Sequence, residues 1–123
     1  MLLIADSMKA FKLININGTD CTFLKGEIPE FSKIRVDYFF ERTQLESQFK
    51  EHPAPRYQFV VTIKGKLRFT VTDGSSFILE PGIILIAKDL EGEGHSWEII
   101  EGIEWQRIYI VPPVDGEDCF VES

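Results

Sequence analysis

The chain has 123 residues, of which 44% are hydrophobic and 27% are charged, and its formal net charge is −7. This length predicts one domain, residues 1–123, that buries a core without a disulfide or a structural metal. The acidic balance would repel a phosphate backbone and no basic stripe offsets it, so we expect no nucleic-acid partner. The opening MLLI is too short for a signal-peptide core or a membrane span, which predicts a cytoplasmic protein without a membrane partner.

The chain begins with a hairpin pattern and continues as short strands, which predicts an all-β fold. Apolar residues alternate through FKLININGTDCTFL, residues 11–24, and Asn17-Gly18 interrupts them as a two-residue hairpin turn does. Further turn signals recur about every eight or nine residues, as in an antiparallel sandwich or barrel. These signals are Lys64-Gly65, Asp73-Gly74, Pro81-Gly82 and Glu101-Gly102.

The segment KIRVDYFF, residues 33–40, shows the cleanest alternation, which predicts a strand with one buried and one solvated face. The buried face would hold Ile34, Val36, Tyr38 and Phe40. The next segment, TQLESQFK, gives the only helical signal, because Thr43 and Glu46 have the spacing of a capping box. We therefore expect at most a short helical turn near residues 43–50, which the prolines at 53 and 55 end.

The segment HPAPRYQFVV, residues 52–61, should be extended, because each proline moves the residue before it away from helical geometry. Alternate side chains of an extended segment point to opposite sides. One side would hold His52, Ala54, Arg56, Gln58, Val60 and Thr62, and the other Tyr57, Phe59, Val61 and Ile63. The second side needs cover from another sheet, an N-terminal strand or a second subunit. Because MLLI and the stripe of residues 34–40 add further apolar surface, we predict a homodimer.

Residues 52–95 resemble the two motifs of the cupin superfamily, whose members are small double-stranded β-helix (jelly-roll) barrels. Gly65 matches the glycine of the first motif, and Pro81-Gly82 and His95 match the second. HPAPR and DLEGEGH are also similar to segments of a subgroup of short bacterial cupins. The resemblance extends over about residues 50–111 and implies a cupin-type barrel, with the side that holds Arg56 and Gln58 facing its interior.

The resemblance also implies a metal site, from which this chain departs. The family's first motif places two histidines and a carboxylate at positions occupied here by His52, Ala54 and Gln58. Two imidazoles, His52 and His95, are a weak ligand set for a divalent transition metal, so no cofactor is assigned. Cys21 and Cys119 lack the paired spacing of a zinc or redox motif, which predicts reduced thiols without a function.

The polar residues of the interior side define the function that we expect. An inward guanidinium at Arg56 needs an acid, either a small anion or a side chain such as Asp89, Glu93 or Glu98. The first hypothesis is therefore a pocket that binds a small polar or anionic metabolite through Arg56, Gln58, His52 and His95. His95 has an alternative role, in which it closes its loop by a hydrogen bond to a carbonyl oxygen or to Asp89.

Two other functions stay open. The first alternative is a metal-dependent enzyme of the isomerase, lyase or dioxygenase type that uses His52 and His95. The second is a structural protein whose pocket is filled by its own side chains. Aromatic residues on late strands usually fill a core, and we expect this of Trp97, Trp105 and Tyr109 in preference to a role as pocket walls.

Overall fold

The all-β prediction is confirmed by a computed structural model, which describes residues 6–34, 36–45, 54–92 and 94–123. The described strands are β1 (Ser7–Ile16), β2 (Asp20–Pro29), β3 (Asp37–Gln44), β4 (Gln58–Thr70), β5 (Ser76–Leu79), β6 (Ile84–Lys88), β7 (Ser96–Val111) and β8 (Val121–Glu122). In the segment expected to hold at most a short helical turn, Thr43 and Gln44 belong to β3 and Leu45 has 3-10 helical conformation; residues 46–50 lie outside the described ranges, so the turn itself stays a prediction. No helix in those ranges has the length and apolar character to cross a bilayer.

The strands form one sheet whose hydrogen-bonded path runs β3, β7, β4, β6, β1, β2, β8, with β5 paired to β4. β1 runs antiparallel to β2 and parallel to β6. Among the described residues, β3 and β8 end this path and no ladder joins them. The sheet is therefore not closed into a barrel, contrary to the prediction of a closed jelly roll.

Two predicted turns are bends within long strands. β4 continues through Lys64-Gly65 and β7 continues through Glu101-Gly102, and the register between the two strands shifts between Thr62 and Leu67. Gly65 has φ 115°, and a Cβ at this position would lie 2.9 Å from the carbonyl oxygen of Glu104. Glycine allows this close approach, so that both strands bend together and curl the sheet.

The main core lies inside the curled sheet. The ring of Phe11 on β1 stacks on that of Phe77 on β5, with 4.5 Å between centroids, although these strands are not neighbours in the sheet. Phe69 stacks on Phe77 from the far half of β4. Because strands distant in the sheet share one core, the sheet wraps around its interior.

A second core covers the outer side of β4, which the sequence predicted to be apolar. Tyr57 and Phe59 are buried there with Ile86, and Phe120 of the C-terminal segment packs against this cluster. The hydroxyl of Tyr57 donates to the carbonyl oxygen of Gly116 at 3.1 Å. Much of the face that was expected to need a second subunit is thus covered by the chain itself.

The orientation predicted for residues 33–40 is wrong for Tyr38 and Phe40, whereas Ile34 of the predicted buried face packs against the second core. Tyr38 and Phe40 are 69% and 68% exposed, since β3 pairs only with β7 and no described element covers their side. The inward side is the alternate one, where Phe39 packs on Tyr109 and Thr43 is buried. An edge strand can thus show strong alternation while its more apolar side faces outward.

Candidate functional site

A cavity of about 500 Å³ opens into the inner side of the curled sheet. Apolar and aromatic side chains form most of its wall, and a few polar groups face the same space, as in sites for small molecules. The cavity is open space, whereas the second alternative from the sequence was a pocket filled by its own side chains. Its lining residues are Glu41, Ala54, Pro55, Arg56, Gln58, Val60, Phe69, Leu85, Ala87, His95, Trp97, Trp105, Arg107 and Tyr109.

Arg56 and Gln58 share the cavity lining, as their common strand parity predicted. Arg56 is exposed and Gln58 is buried, and Nη1 of Arg56 donates to Oε1 of Gln58 at 2.8 Å. The guanidinium carbon of Arg56 lies 5.5 Å from the centre of the Phe39 ring. The partner seen for Arg56 is thus an amide, not the expected carboxylate.

The carboxylates proposed as internal partners of Arg56 have other roles where the structure describes them. Glu98 pairs with Arg68 at 2.9 Å, and Asp89 contacts His95. Glu93 lies outside the described residues. Among the residues that the structure describes, no carboxylate pairs with Arg56, whose side chain lines the cavity.

A second guanidinium, which sequence reasoning missed, lines the cavity. Arg107 is 2% exposed, and its Nη1 donates to Oγ1 of Thr43 at 2.8 Å while Nη2 pairs with Glu41 at 3.0 Å. Its Nε donates to the hydroxyl of Tyr109 at 3.1 Å. The signal in the sequence is parity, because Arg107 alternates in step with Trp105 and Tyr109, which were expected to be buried.

The aromatic residues of β7 both pack in the core and form walls of the cavity. Trp97 and Trp105 meet edge to face at 4.9 Å, and the indole nitrogen of Trp105 donates to Oγ1 of Thr62 at 3.1 Å. Burial raises the pKa of Tyr109, although the charge of Arg107 acts in the opposite direction. The Tyr109 hydroxyl is thus a neutral polar group beside the cavity.

His95 connects the cavity to a buried carboxylate. Nδ1 of His95 lies 2.5 Å from Oδ2 of Asp89, which is fully buried. Because Asp89 does not line the cavity and His95 does, the carboxylate fixes the imidazole from behind. The alternative role inferred for His95, a hydrogen bond to Asp89, is therefore present in the structure.

Cys21 completes this buried group, which no spacing in the sequence indicated. Its Sγ donates to Oδ2 of Asp89 at 3.3 Å. Burial and the nearby carboxylate of Asp89 raise the pKa of the Cys21 thiol well above its usual range. Cys21, Asp89 and His95 thus form a buried thiol, carboxylate and imidazole group of the kind that could hold a metal ion.

Polar contacts hold the loop of residues 89–95 that carries two members of this group. The amide of Asn15 clamps Glu91, because Nδ2 donates to its carbonyl oxygen at 2.8 Å and Oδ1 accepts its N–H at 2.9 Å. The N–H of Ala54 donates to the carbonyl oxygen of Asp89 at 2.9 Å. Gly92, at φ 75°, lies against the backbone of Thr19. The loop is therefore fixed to the β1–β2 turn and to the entry of β4.

Of the four residues predicted to form the site, Arg56, Gln58 and His95 lie around one cavity. His52 lies outside the described residues, so it stays a prediction that His52 and His95 form at most a weak metal site. Searches with models of protein families and among curated proteins return no match for this chain. Inferences about its activity therefore depend on the geometry of the site.

Proposed function

We propose that this protein is a cupin-type jelly-roll protein that binds a small organic anion in the cavity. The observation that supports the proposal is that Arg56, Gln58 and His95, chosen from the sequence, lie around one apolar cavity of about 500 Å³. A wall of this kind with few polar groups is typical of sites for small metabolites.

Four features support the cupin assignment. The chain folds as a curled sheet around a single interior, and Pro81-Gly82 forms the turn before β6, as the second cupin motif requires. His95 follows on the loop between β6 and β7 and faces the interior. Gly65, from the first motif, provides the bend of β4. These positions agree with the resemblance, although the ladder itself stays open.

The charges of the lining favour an anion. Two guanidinium groups, Arg56 and Arg107, and one carboxylate, Glu41, face the cavity, so positive charge is in excess in a chain whose net charge is −7. Arg107 is already paired with Glu41, whereas the partner of Arg56 within the described ranges is the amide of Gln58. Arg56 is therefore the group that we expect to receive a ligand carboxylate, in bidentate geometry.

The side chains that line the cavity indicate which chemical groups the ligand carries besides its carboxylate. Val60, Leu85 and the rings of Phe69 and Trp97 would contact an apolar body, while Gln58 and His95 would bind a hydroxyl or carbonyl beside the carboxylate. A small carboxylic acid with an aliphatic or aromatic body and one further polar group fits this arrangement.

Calorimetry with matched pairs of ligands tests the proposal. A panel of small aliphatic and aromatic carboxylic acids is titrated into the protein, each beside its primary amide. We expect some acids to bind and their amides to bind at least about tenfold more weakly, because a charge-assisted hydrogen bond contributes about 1.5–3 kcal/mol. Equal affinity for acid and amide, or no binding by any acid, would contradict the proposal.

The variant Arg56→Gln tests whether Arg56 is the residue that binds the ligand carboxylate. It should weaken binding of the acid by about ten- to a hundredfold and leave binding of the amide nearly unchanged. Arg68→Gln is the matched control, because Arg68 is an exposed arginine of β4 whose partner is Glu98 and it does not line the cavity. A similar loss of affinity in both variants would point to a general effect of net charge.

A further inference from the structure

The buried group behind the cavity consists of three side chains from three parts of the chain. Cys21 lies at the start of β2, Asp89 follows β6, and His95 precedes β7. All three are buried, and their sulfur, oxygen and nitrogen atoms lie within 4.8 Å of one another. Their convergence is a product of the fold, because only Asp89 and His95 are near each other in sequence.

The hydrogen bonds of Asp89 are unevenly distributed between its two oxygens. Oδ2 receives the contacts of both Cys21, at 3.3 Å, and His95, at 2.5 Å. Oδ1 is buried and has no hydrogen-bond partner among the residues that the structure describes. A buried acceptor without a partner is destabilising and rare, and an ion that Oδ1 binds would account for it.

We propose that Cys21, Asp89 and His95 bind one divalent transition metal ion of the zinc class. A thiolate, a carboxylate and an imidazole are ligands that zinc and its neighbours prefer, whereas magnesium and calcium select oxygen ligands. On binding, the Cys21 thiol releases its proton to solvent and forms a sulfur–metal bond. The cation then balances the charge of the thiolate and of the Asp89 carboxylate, both of which are buried.

The surroundings of the ligands are already ordered for this role. The Cys21 N–H donates to Oγ1 of Thr72 at 3.0 Å, and that hydroxyl donates back to the Cys21 carbonyl oxygen at 3.1 Å. The clamp of Asn15 on Glu91 fixes the loop between Asp89 and His95. Outer contacts of this kind orient metal ligands in proteins.

The site differs from the one that the cupin resemblance implies. It uses His95, but its other ligands are Cys21 and Asp89, which are buried and do not line the cavity. The ion would therefore lie behind the imidazole and tie the loop of residues 89–95 to β2. Its role would be structural, and metal binding and anion binding can be measured independently.

Cobalt(II) provides a direct spectroscopic test. The purified full chain is treated with a chelator, desalted and titrated with Co²⁺ while near-ultraviolet absorbance is recorded. We expect saturation at one ion per chain, with the charge-transfer band of a thiolate–cobalt bond. Zn²⁺ should displace the cobalt and raise the melting temperature by several degrees, because it binds the folded chain alone. Absence of the band, or displacement by Mg²⁺, would overturn the proposal.

Variants assign the ligands. Cys21→Ala should abolish the band, and Cys119→Ala, which changes the other cysteine, should retain it. Asp89→Asn should weaken Co²⁺ binding by at least about tenfold, since even changes outside the ligand shell have effects of this size. A band that survives Cys21→Ala, or that is lost in Cys119→Ala, would overturn the assignment.

A measurement on the unaltered chain covers the case in which a variant fails to fold. The reaction of the two thiols with a disulfide reagent is followed with and without Zn²⁺ under mild denaturant. Zinc should slow the reaction of one thiol by at least about tenfold, and peptide mapping should locate the protected thiol at Cys21. Protection of Cys119, or of neither thiol, would overturn the proposal.

Discussion

The guanidinium carbon of Arg107 lies 3.8 Å from the centre of the Trp105 ring, so that a buried cation stacks on a buried indole. The same guanidinium donates to Thr43 and pairs with Glu41, and it thereby ties β3 to β7. Because β3 is an edge strand with little buried surface, these side-chain contacts add to the ladder that pairs it with β7.

Arg107→Met should therefore lower the free energy of unfolding by about 3 kcal/mol, from the lost cation–π contact and charge-assisted hydrogen bonds. Glu41 is half exposed, so water can hydrate the carboxylate that remains. Urea denaturation measures the change. The control is Arg42→Met, because Arg42 is exposed and pairs with Glu104 at 3.4 Å. This variant should lose less than about 1 kcal/mol, and equal losses would contradict the prediction.

The glycine-containing turn signals show how much of the fold the sequence predicted. Asn17-Gly18, Asp73-Gly74 and Pro81-Gly82 form the predicted turns, because Asn, Asp and Pro favour turn geometry locally. Lys64-Gly65 and Glu101-Gly102 lie within strands instead. A glycine with positive φ serves a turn or a bulge equally well, and only the pairing of β4 with β7 decides between them.

The site shows the same division between local and long-range information. Strand parity placed Gln58 and Val60 of β4 on the cavity side, since that parity is a property of one segment. Arg56 also lines the cavity, but residues 55–57 form a bend before β4 and not the predicted extended segment. Cys21 could not be found in this way, because its contact with Asp89 depends on how the β1–β2 hairpin meets a distant loop. Glu41 was missed because the exposed side of β3 is the more apolar one.

The phenol of Tyr57 should make stability depend on pH in the alkaline range. Burial, with the charges of Asp118 and Glu117, raises the pKa of Tyr57 to about 12, from an ordinary value of 10.0. The unfolded chain therefore loses this proton first as the pH rises. The stabilisation is complete below about pH 10 and is lost as the pH rises through about 12.

We expect the unfolding free energy of the unaltered chain to fall more steeply between about pH 10 and about pH 12 than that of Tyr57→Phe. At about pH 8 the variant should be less stable by about 1 kcal/mol, because the hydrogen bond to Gly116 is lost. Urea denaturation of both proteins across this range gives the two slopes. Parallel slopes would show that Tyr57 does not cause the dependence.

Gly92 should be more sensitive to substitution than a glycine in an open turn. A Cβ at Gly92 would lie 1.9 Å from the carbonyl oxygen of Thr19, whereas at Gly82 nothing lies within 4 Å. Both have positive φ, so Gly82→Ala measures the backbone strain alone, about 1–2 kcal/mol. Gly92→Ala adds the clash and should lower the unfolding free energy by at least about 3 kcal/mol. Equal changes in the unfolding free energy, measured by thermal or urea unfolding, would show that the loop adjusts to the new Cβ without loss of stability.

The predicted homodimer would form on the part of the predicted apolar surface that the described chain leaves uncovered. The outer side of β4 at Tyr57 and Phe59 is covered by Phe120, whereas Tyr38 and Phe40 on β3 are exposed. Tyr38 pairs in register with Ile110, and Phe40 with Ile108. The exposed rings therefore extend an apolar row across the end of the sheet.

A two-fold contact between copies would cover this row and the edge of β3 that pairs with no described strand. On a monomer, such an edge could pair with strands of other proteins. Light scattering at micromolar concentration should give about 28 kDa, twice the 14.1 kDa of the chain.

Phe40→Glu should restore the monomer mass, because a carboxylate would have to be buried at the contact. Val114→Glu is the control, since Val114 is a still more exposed apolar residue, 88% against 68%, and lies in a turn after β7. A monomer that persists on concentration, or a dimer that Phe40→Glu leaves intact, would show that the edge of β3 is not the contact.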